Sequence, residues 1–500
     1  MRRGAFLAGV AAAGAAGAAS PEPRVVLRVD AAPLAHDIDP YRDAEVGADE
    51  LAWLYADGLV GWDGGVTPLL ANVPEIRDSG RRYLYALRPA RWHDGAPVRS
   101  GDVGAALEQV RSSAFGTREP YRSVRSFTIR DDHRFEVELD AARPQFAASF
   151  FGARGIPALP LLRHRSDGAS VGTGPFAVAT RPELGRWRLD RYHGSPRGIP
   201  RVDAIELRLL TLETTADLQL RSGEADIALP LSPGAAGSSA YRTVQRFTSA
   251  AVLLLNCATA FADASVRRAF AGSIRVAELQ RAYDRRRTAL YSSVLLTGED
   301  DPGFASALQP QPSAAARLRE SLAGRTLTIA YIRGSPAQER TVLLLQQTLH
   351  EVGVASDLRG VPGALYQTAD GPLRTGRFDI AVYGLAYGDA IDLAADWTCN
   401  ALPPAGGNFA RWCDPRFDAA AARGDVRTMQ RRLYDTMACI PLSRAYELLG
   451  IGRRVVGFAA PEPLTPATYR CAEWALPPAS TSSRSSSGGS ASISRRSADV

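Results

Sequence analysis

Apolar and polar residues alternate with a period of two from Tyr83 to Arg88. Tyr83, Tyr85 and Leu87 fall on one face and Leu84, Ala86 and Arg88 on the other, which predicts a strand. Pro89 ends it, since proline lacks the N–H that a ladder needs. Asp94-Gly95 is a turn pair, because glycine takes the positive φ that a tight turn demands, and Pro97 stiffens the exit. Ser100 is placed to cap a helix, and Asp102 sits in its first turn, where negative charge suits the helix dipole. Val103, Ala106, Leu107 and Val110 then recur at helical spacing.

The same patterns predict elements along the whole chain. Val25 to Val29 is a short apolar strand leading into a loop from Asp30 to Asp39-Pro40. Asp49 to Leu59 is expected to be a helix, with Leu51, Leu54, Tyr55 and Leu59 on one side. Phe127 to Leu139 is a hairpin around Asp131-Asp132, and Trp187 to Tyr192 and Ala204 to Leu210 alternate as strands. A helix through Leu218 stops at Gly223, and a strand begins at Asp226. Val252 to Asn256 is a buried-strand run, followed by a strand at Leu327 to Tyr331. Ala337 to Val352 is a helix with Val342, Leu345, Leu349 and Val352 on one stripe, ended by Gly353. Phe378 to Gly384 is another buried strand. Strands alternating with helices argue α/β architecture with mixed sheets.

Composition changes this picture at the ends. The 500 residues are 45% hydrophobic, enough for two or three domains. Of the formal charge of +6, Arg2 and Arg3 contribute +2, and Arg484, Arg495 and Arg496 with Asp499 another +2, leaving the body near +2. That is no nucleic-acid footprint. No lysine occurs, so all 59 basic residues are arginine. Residues 1–19 read as a secretory signal peptide: two arginines, an Ala/Gly run, then Ala16-Gly17-Ala18 as a cleavage site. No cysteine follows that run, so no lipid anchor is expected, and no later run is long and apolar enough to span a membrane. The product is expected to be soluble and exported, periplasmic or extracellular. Residues 479–500 are Ser/Gly/Arg low complexity and expected to be disordered.

The run Val171-Gly172-Thr173-Gly174-Pro175-Phe176 overlaps two motifs that carry chemistry. Gly168-Ala169-Ser170-Val171-Gly172 fits the nucleophile pattern G-x-S-x-G, but that elbow needs a strand before it and a helix after it. Here His164 to Asp167 are polar and Pro175 opens a β-like run. Gly172, Gly174 and Ala177 fit a dinucleotide loop, which also needs a following helix, whereas Phe176 to Thr180 reads as strand.

The order Leu87-Arg88, Trp92-His93-Asp94-Gly95, Pro97-Val98, Asp102-Val103 resembles the signature of the family 5 extracellular solute-binding proteins, the dipeptide and oligopeptide receptors of bacterial ABC importers. The passages Leu59, Trp62-Asp63 and Pro68-Leu69-Leu70-Ala71 resemble the same family, as do Gly172-Thr173-Gly174-Pro175-Phe176 and the Gly223-Glu224 element. So does Asn256 followed by Asp263, Val266-Arg267 and Ala269, where Arg267 is read as a cap, a pairing residue or a surface helix charge. The resemblance covers roughly Val25 to Leu476 and is densest before Gln280. It implies a large type II periplasmic-binding-protein-like fold with a cleft between two lobes. Lobe I would span 24–249 with an inserted subdomain at about 68–170, lobe II would span 250–441, and 442–478 would return to lobe I. The implied function is capture of a peptide or related small solute and delivery to a membrane permease. The protein would act as a monomer, with no catalytic residues, metal or cofactor and no nucleic-acid partner.

Ligands of α/β sheets sit beyond the carboxyl ends of strands. That rule places Arg333, the stretch Tyr383 to Asp389 and Asn256 at the cleft. Family members carry Gly-Trp and then an Asp that anchors the α-amino group of a bound peptide. This chain has Gly384-Leu385-Ala386-Tyr387-Gly388-Asp389: Leu385 replaces the Trp, Asp389 comes one place late, and Asp392 competes with it. Leu385, Tyr387 and Asp389, with Arg333 for a carboxylate and Asn256, form the expected ligand set. Cys399 and Cys413 flank the family-like Asn408 to Trp412, and in an exported protein their spacing suits a disulfide. The six histidines are too scattered for a metal site, and the odd total of five cysteines leaves at least one thiol unpaired. After Phe417-Asp418 the second lobe is compressed relative to the family. The rival expectations are an exported serine hydrolase using Ser170, with His164 and His193 nearest in sequence, and a solute sensor of the same fold without transport.

Overall fold

In the computed structural model of the chain, the described residues are 24–32, 38–41, 47–113, 120–140, 142–143, 146–155, 158–166, 168–183, 185–210, 213–231, 238–284, 291–295, 302–368, 370–385, 390–403 and 406–477. The expected leader and tail, together with Tyr387 and Asp389, lie outside them.

The run Val252 to Leu255 is buried throughout, as expected of a strand covered on both faces. Among the described residues it belongs to one mixed sheet of ten strands: β1 Val26–Ala31, β2 Phe176–Glu183, β3 Arg186–Arg191, β4 Ala204–Leu209, β5 Ile227–Leu231, β6 Tyr241–Leu255, β7 Thr326–Ile332, β8 Ala355–Val361, β9 Ile380–Leu385 and β10 Cys439–Gly452. Their order across the sheet is β2-β3-β4-β1-β5-β10-β6-β9-β7-β8. β1 runs parallel to β4 and β5, and β7 parallel to β8 and β9, while β6 is antiparallel to both β9 and β10.

The long pair β6–β10 joins two hydrophobic cores. Val244, Leu449 and Ile451 belong to the first, with Leu27, Val29, Leu207 and Ile227. Ala250 to Leu255, Cys439, Ile440 and Leu442 belong to the second, with Ile329, Leu345, Ile380 and Leu433. The ladder slips one residue between Ala251 and Val252, where Pro441 and Ser443 are paired and Leu442 is the extra residue. A bulge is where a strand tolerates proline.

A separate antiparallel sheet, ordered Glu75–Arg77, Arg82–Ala86, Arg134–Leu139 and Val124–Ile129, lies beside the helix Ser100–Ser112. Its inward side chains Tyr83, Tyr85, Phe135 and Val137 join the first core.

Two local expectations change, and a third narrows to one of its readings. The helix expected from Asp49 to Leu59 is confined to Ala48–Ala52. Beyond it the Trp53 and Ala56 carbonyls accept from the Arg197 guanidinium at 2.5 and 2.9 Å, and the Leu59 N–H donates to the Phe151 carbonyl at 2.6 Å. Tertiary partners therefore take the groups a longer helix would use. Ser100 is not the cap of its helix: Arg99 holds that position, and the Asp102 carboxylate accepts the Arg99 N–H at 2.8 Å. Arg267 is buried rather than a surface charge, and donates to the carbonyls of Thr436, Phe261 and Ala262 at 2.7, 2.7 and 2.9 Å. It closes the end of the helix Val426–Thr436.

Candidate functional site

The most distinctive sequence stretches meet one another in the first core. Trp92 donates its indole N–H to the Asp102 carboxylate at 3.2 Å, so Asp102 serves both the turn and its own helix start. The His93 N–H donates to the Gly172 carbonyl at 2.9 Å, and its Nε2 lies 3.0 Å from the Gly174 carbonyl. The Gly174 N–H donates to the Tyr55 carbonyl at 3.0 Å, and a Cβ on Gly172 would stand 1.9 Å from that same oxygen. The glycines are there because two backbones touch.

Ser170 opens a two-residue strand paired with Arg163–His164, so it does not stand on a strand-to-helix elbow. Its hydroxyl donates to the Asp39 carboxylate at 3.3 Å. The two His164 ring nitrogens meet Asp39 Oδ2 at 2.5 Å and Gln109 Oε1 at 3.0 Å. Serine and histidine thus address the same carboxylate oxygen of Asp39. An activated serine needs its hydroxyl on the histidine instead.

A hollow of a different kind lies at the carboxyl end of β9. It is a shallow dent, too tight to admit a water molecule, between Leu254, Tyr383 and Leu385 on the sheet and Asp396, Trp397 and the Gly407 to Ala410 loop. The loop is held by its own polar groups. Asn408 donates to the carbonyls of Trp397, Thr398 and Trp412 at 3.3, 3.2 and 2.6 Å, and accepts the Trp412 N–H at 3.3 Å. Cys399 and Cys413 are bonded to each other and close the loop at its base. Phe409 meets the Tyr383 ring edge-on with centroids 5.4 Å apart, and the Arg374 guanidinium lies 5.6 Å over Phe409. Burial, reinforced by Asp396, pushes the Tyr383 phenol well above its ordinary pKa, so it stays neutral. The remaining thiols are free, Cys439 and Cys471 buried and Cys257 half-buried.

Of the expected ligand set, Leu385 lines this hollow. Arg333 follows β7, which runs parallel to β9, so it stands at the same end of the sheet. It is exposed, and its guanidinium donates to the Gly360 carbonyl at 2.8 Å. Tyr387 and Asp389 fall outside the described residues, between Leu385 and the helix Ala390–Trp397. Asn256 is a correction. β6 is antiparallel to β9 with Leu255 opposite Ile380, so Asn256 lies beyond the other end of β9, about 20 Å of strand from Leu385. Its amide donates to the Gly376 and Phe378 carbonyls at 3.1 and 2.8 Å, and its Oδ1 accepts the Ala258 N–H at 3.1 Å. The carboxyl-end rule holds for parallel neighbours, and strand direction is not written in the apolar run itself. The walls Trp397 and Phe409 were missed because nothing local to them in the sequence shows that they meet the end of β9. Arg444 pairs with Ala250, which pairs with Leu385, one row across three strands.

Residues 65–397, more than half of the chain, match the family model of bacterial extracellular solute-binding proteins, family 5. A probable di/tripeptide-binding protein 5 of Pseudomonas aeruginosa is 26% identical over 464 residues, covering 81% of this chain and 84% of that protein. The HbpA2 structure from Haemophilus parasuis superposes with a TM-score of 0.69 at 18% identity, covering 90% of this chain and 100% of that one. The periplasmic binding protein DppA from Helicobacter pylori, in complex with the peptide STSA, gives 0.61 at 17% identity, covering 91% and 98%. Signature turn, two-cored mixed sheet and matched span agree, and the chain belongs to the family 5 bacterial extracellular solute-binding proteins.

Proposed function

We propose that this protein captures a small peptide, or a solute built like one, between two lobes and hands it to a membrane permease. Lobe I would span 24–249, lobe II 250–441, and 442–478 would return to lobe I. The observation that carries this reading is the match of residues 65–397 to the family model, with acidic residues following β9 in the sequence. Asp389 holds the α-amino group, because a buried ammonium without a partner is too costly. Leu385, standing where family members carry Trp, enlarges the room beside that anchor. Residues 1–19 direct export as a signal peptide and are removed. No helix among the described residues is long and apolar enough to cross a membrane.

Calorimetry with the ligand that co-purifies from the native host tests this. Asp389→Asn keeps size and removes charge, and affinity falls by more than about 30-fold, the lower end of the cost of truncating one member of a buried charge pair. Asp392→Asn changes affinity far less. Equal affinity of Asp389→Asn and wild type excludes an amine-anchored peptide.

A further inference from the structure

β6 and β10 run side by side from one core to the other, and their register marks where they can bend. Val244 and Leu449 are paired and belong to the first core, while Ala250, paired with Arg444, belongs to the second. Between these rows Arg246 stands opposite Glu447 and Phe247 opposite Tyr446, and the ladder then slips at Thr248 before Ser249 meets Ala445. A bulge breaks the pairing locally and bends its strand. Relative movement of the cores falls on this stretch, because on either side of it the strands are packed into a core.

The row just before the bulge is tied to the first core. Arg246 donates through Nε to Glu447 Oε1 at 2.8 Å, and its Nη2 reaches both that oxygen and Glu50 Oε2. Glu50 belongs to the helix Ala48–Ala52, whose Leu51 and Ala52 lie in the first core. Its Oε1 accepts the Ala467 N–H at 3.2 Å, and its carbonyl accepts the Thr468 hydroxyl. One guanidinium thus joins both crossing strands to that helix. The side chains of Arg246, Glu50 and Glu447 are 13, 16 and 24% exposed, so solvent screens their attraction weakly.

This clasp holds surplus charge. Asp49 lies beside Glu50 in the helix, which sets three carboxylates against one arginine. Burial pushes the Glu447 carboxyl up; Arg246 opposes that, and Glu50 and Asp49 add to it. Burial, then Glu50, pushes Asp49 up as well. Tyr121, which also feels Asp49, stays neutral because burial raises its phenol, and Ala467 and Thr468 bring no charge. An acid raised above its ordinary value, near 4.3 for Glu, binds its proton more tightly in the clasp than when parted from it in water. Falling pH therefore tightens the clasp by removing surplus charge, and rising pH loosens it.

We propose that Glu50, Arg246 and Glu447 form a proton-sensitive clasp that confines the hinge between the lobes to the bulge at Thr248. This rests on the two-lobed capture function above and adds a control on how freely the lobes move.

The test uses the full mature chain, spin-labelled at Arg186→Cys in β3 and Leu343→Cys in the helix Pro336–Glu351, both exposed, with Cys257→Ser to remove the half-buried thiol. The distance distribution between the labels is read without ligand at about pH 5 and about pH 8, a range in which raised carboxyls titrate. Wild type is narrow at the lower pH and broader at the higher. Glu447→Gln keeps an acceptor, sheds the charge and is narrow at both. Arg246→Gln leaves the carboxylates without their cation and is broad at both. Calorimetry with unblocked di- and tripeptides then shows Arg246→Gln binding each roughly 2- to 30-fold more weakly, by the same factor for every peptide, since the clasp touches none of them. Unfolding midpoints show which variants are folded, and if Arg246→Gln is not, the pH response of Glu447→Gln decides. A distribution in Arg246→Gln equal to wild type at both pH values overturns the proposal. So does a wild type that does not broaden as pH rises, a Glu447→Gln that still does, or a loss of affinity confined to some peptides, which would place Arg246 against the ligand. A wild type that binds none of the peptides overturns peptide capture, and the label distances still decide the clasp.

Discussion

Around Asp57 and around Leu385 the same chain uses buried groups in opposite ways. Asp57 is fully buried, and its carboxylate takes the Arg197 guanidinium together with the hydroxyls of Ser195 and Thr173, at 3.3 and 3.4 Å. Arg197 also donates to the carbonyls of Trp53, Ala56 and Tyr469. One ion pair therefore ties together segments from three distant parts of the chain, and every donor in it points at the protein. At Leu385 the polar side chain of Asn408 holds a loop, and the residues around the hollow are mostly aromatic and aliphatic, with Asp396 and Asn408 among them. The first region spends its chemistry on holding a shape, and the second holds a space. A dense, satisfied polar network is evidence of scaffold, since each buried group must find its partner inside the protein. A recognition surface leaves that partner to the ligand.

That contrast can be broken most forcefully at Arg197. Arg197→Met removes one partner of a buried pair and strands Asp57, which should cost about 3–5 kcal/mol in urea unfolding. The affinity of the molecules that remain folded should not change. A variant of normal stability with lost affinity would assign this region to binding after all.

The disulfide is expected to give the next largest effect, and a mixed one. Replacing Cys399 and Cys413 by Ser opens a loop with a sequence separation of 14 and should cost about 3 kcal/mol. Because that loop carries Phe409, ligand affinity should fall as well. Denaturation and calorimetry on the same double variant check both halves. Loss of stability alone would place Phe409 outside the binding surface.

Asp30 sharpens the comparison through pH. Its Oδ1 accepts from Arg208 at 2.7 Å, but its buried Oδ2 has no hydrogen-bond partner. Burial pushes its carboxyl up to about 6 against the pull of Arg208. A raised acid binds its proton more tightly in the folded state than in the unfolded one, whose value is near 3.9. Stability therefore falls as pH rises from about 4 to about 6, by at most about 1.4 kcal/mol per unit, and the penalty persists above that window. Asp30→Asn should flatten this slope in unfolding midpoints measured across the range. A slope identical to wild type would mean that the pair with Arg208 fully compensates the burial.

The smallest effect is expected at Ser170. Its hydroxyl makes a hydrogen bond to Asp39 from a half-buried position, so Ser170→Ala should cost within about 1 kcal/mol. Ligand affinity should be untouched. A fluorophosphonate probe that labels wild type and not the variant would instead establish a nucleophile there.

Much of the architecture was determined by local sequence. The helical stripe from Ala337 became Pro336–Glu351, and FDIAVYG became β9 with its last residues at the hollow. The turn through Asp94-Gly95, the hairpin around Asp131 and the bond between Cys399 and Cys413 were equally legible, because each depends on residues close in the chain. Tertiary structure alone decided who meets whom. It turned β6 antiparallel to β9 and so moved Asn256 to the wrong end of the sheet for a role at the hollow. It stopped the helix at Ala52 by lending the carbonyls of Trp53 and Ala56 to an arginine far downstream. It also set Arg444 in register with Leu385 through an intervening strand. Periodicity reports which face of an element is apolar. Direction and register depend on pairing between residues scores or hundreds of positions apart, and no local pattern encodes them.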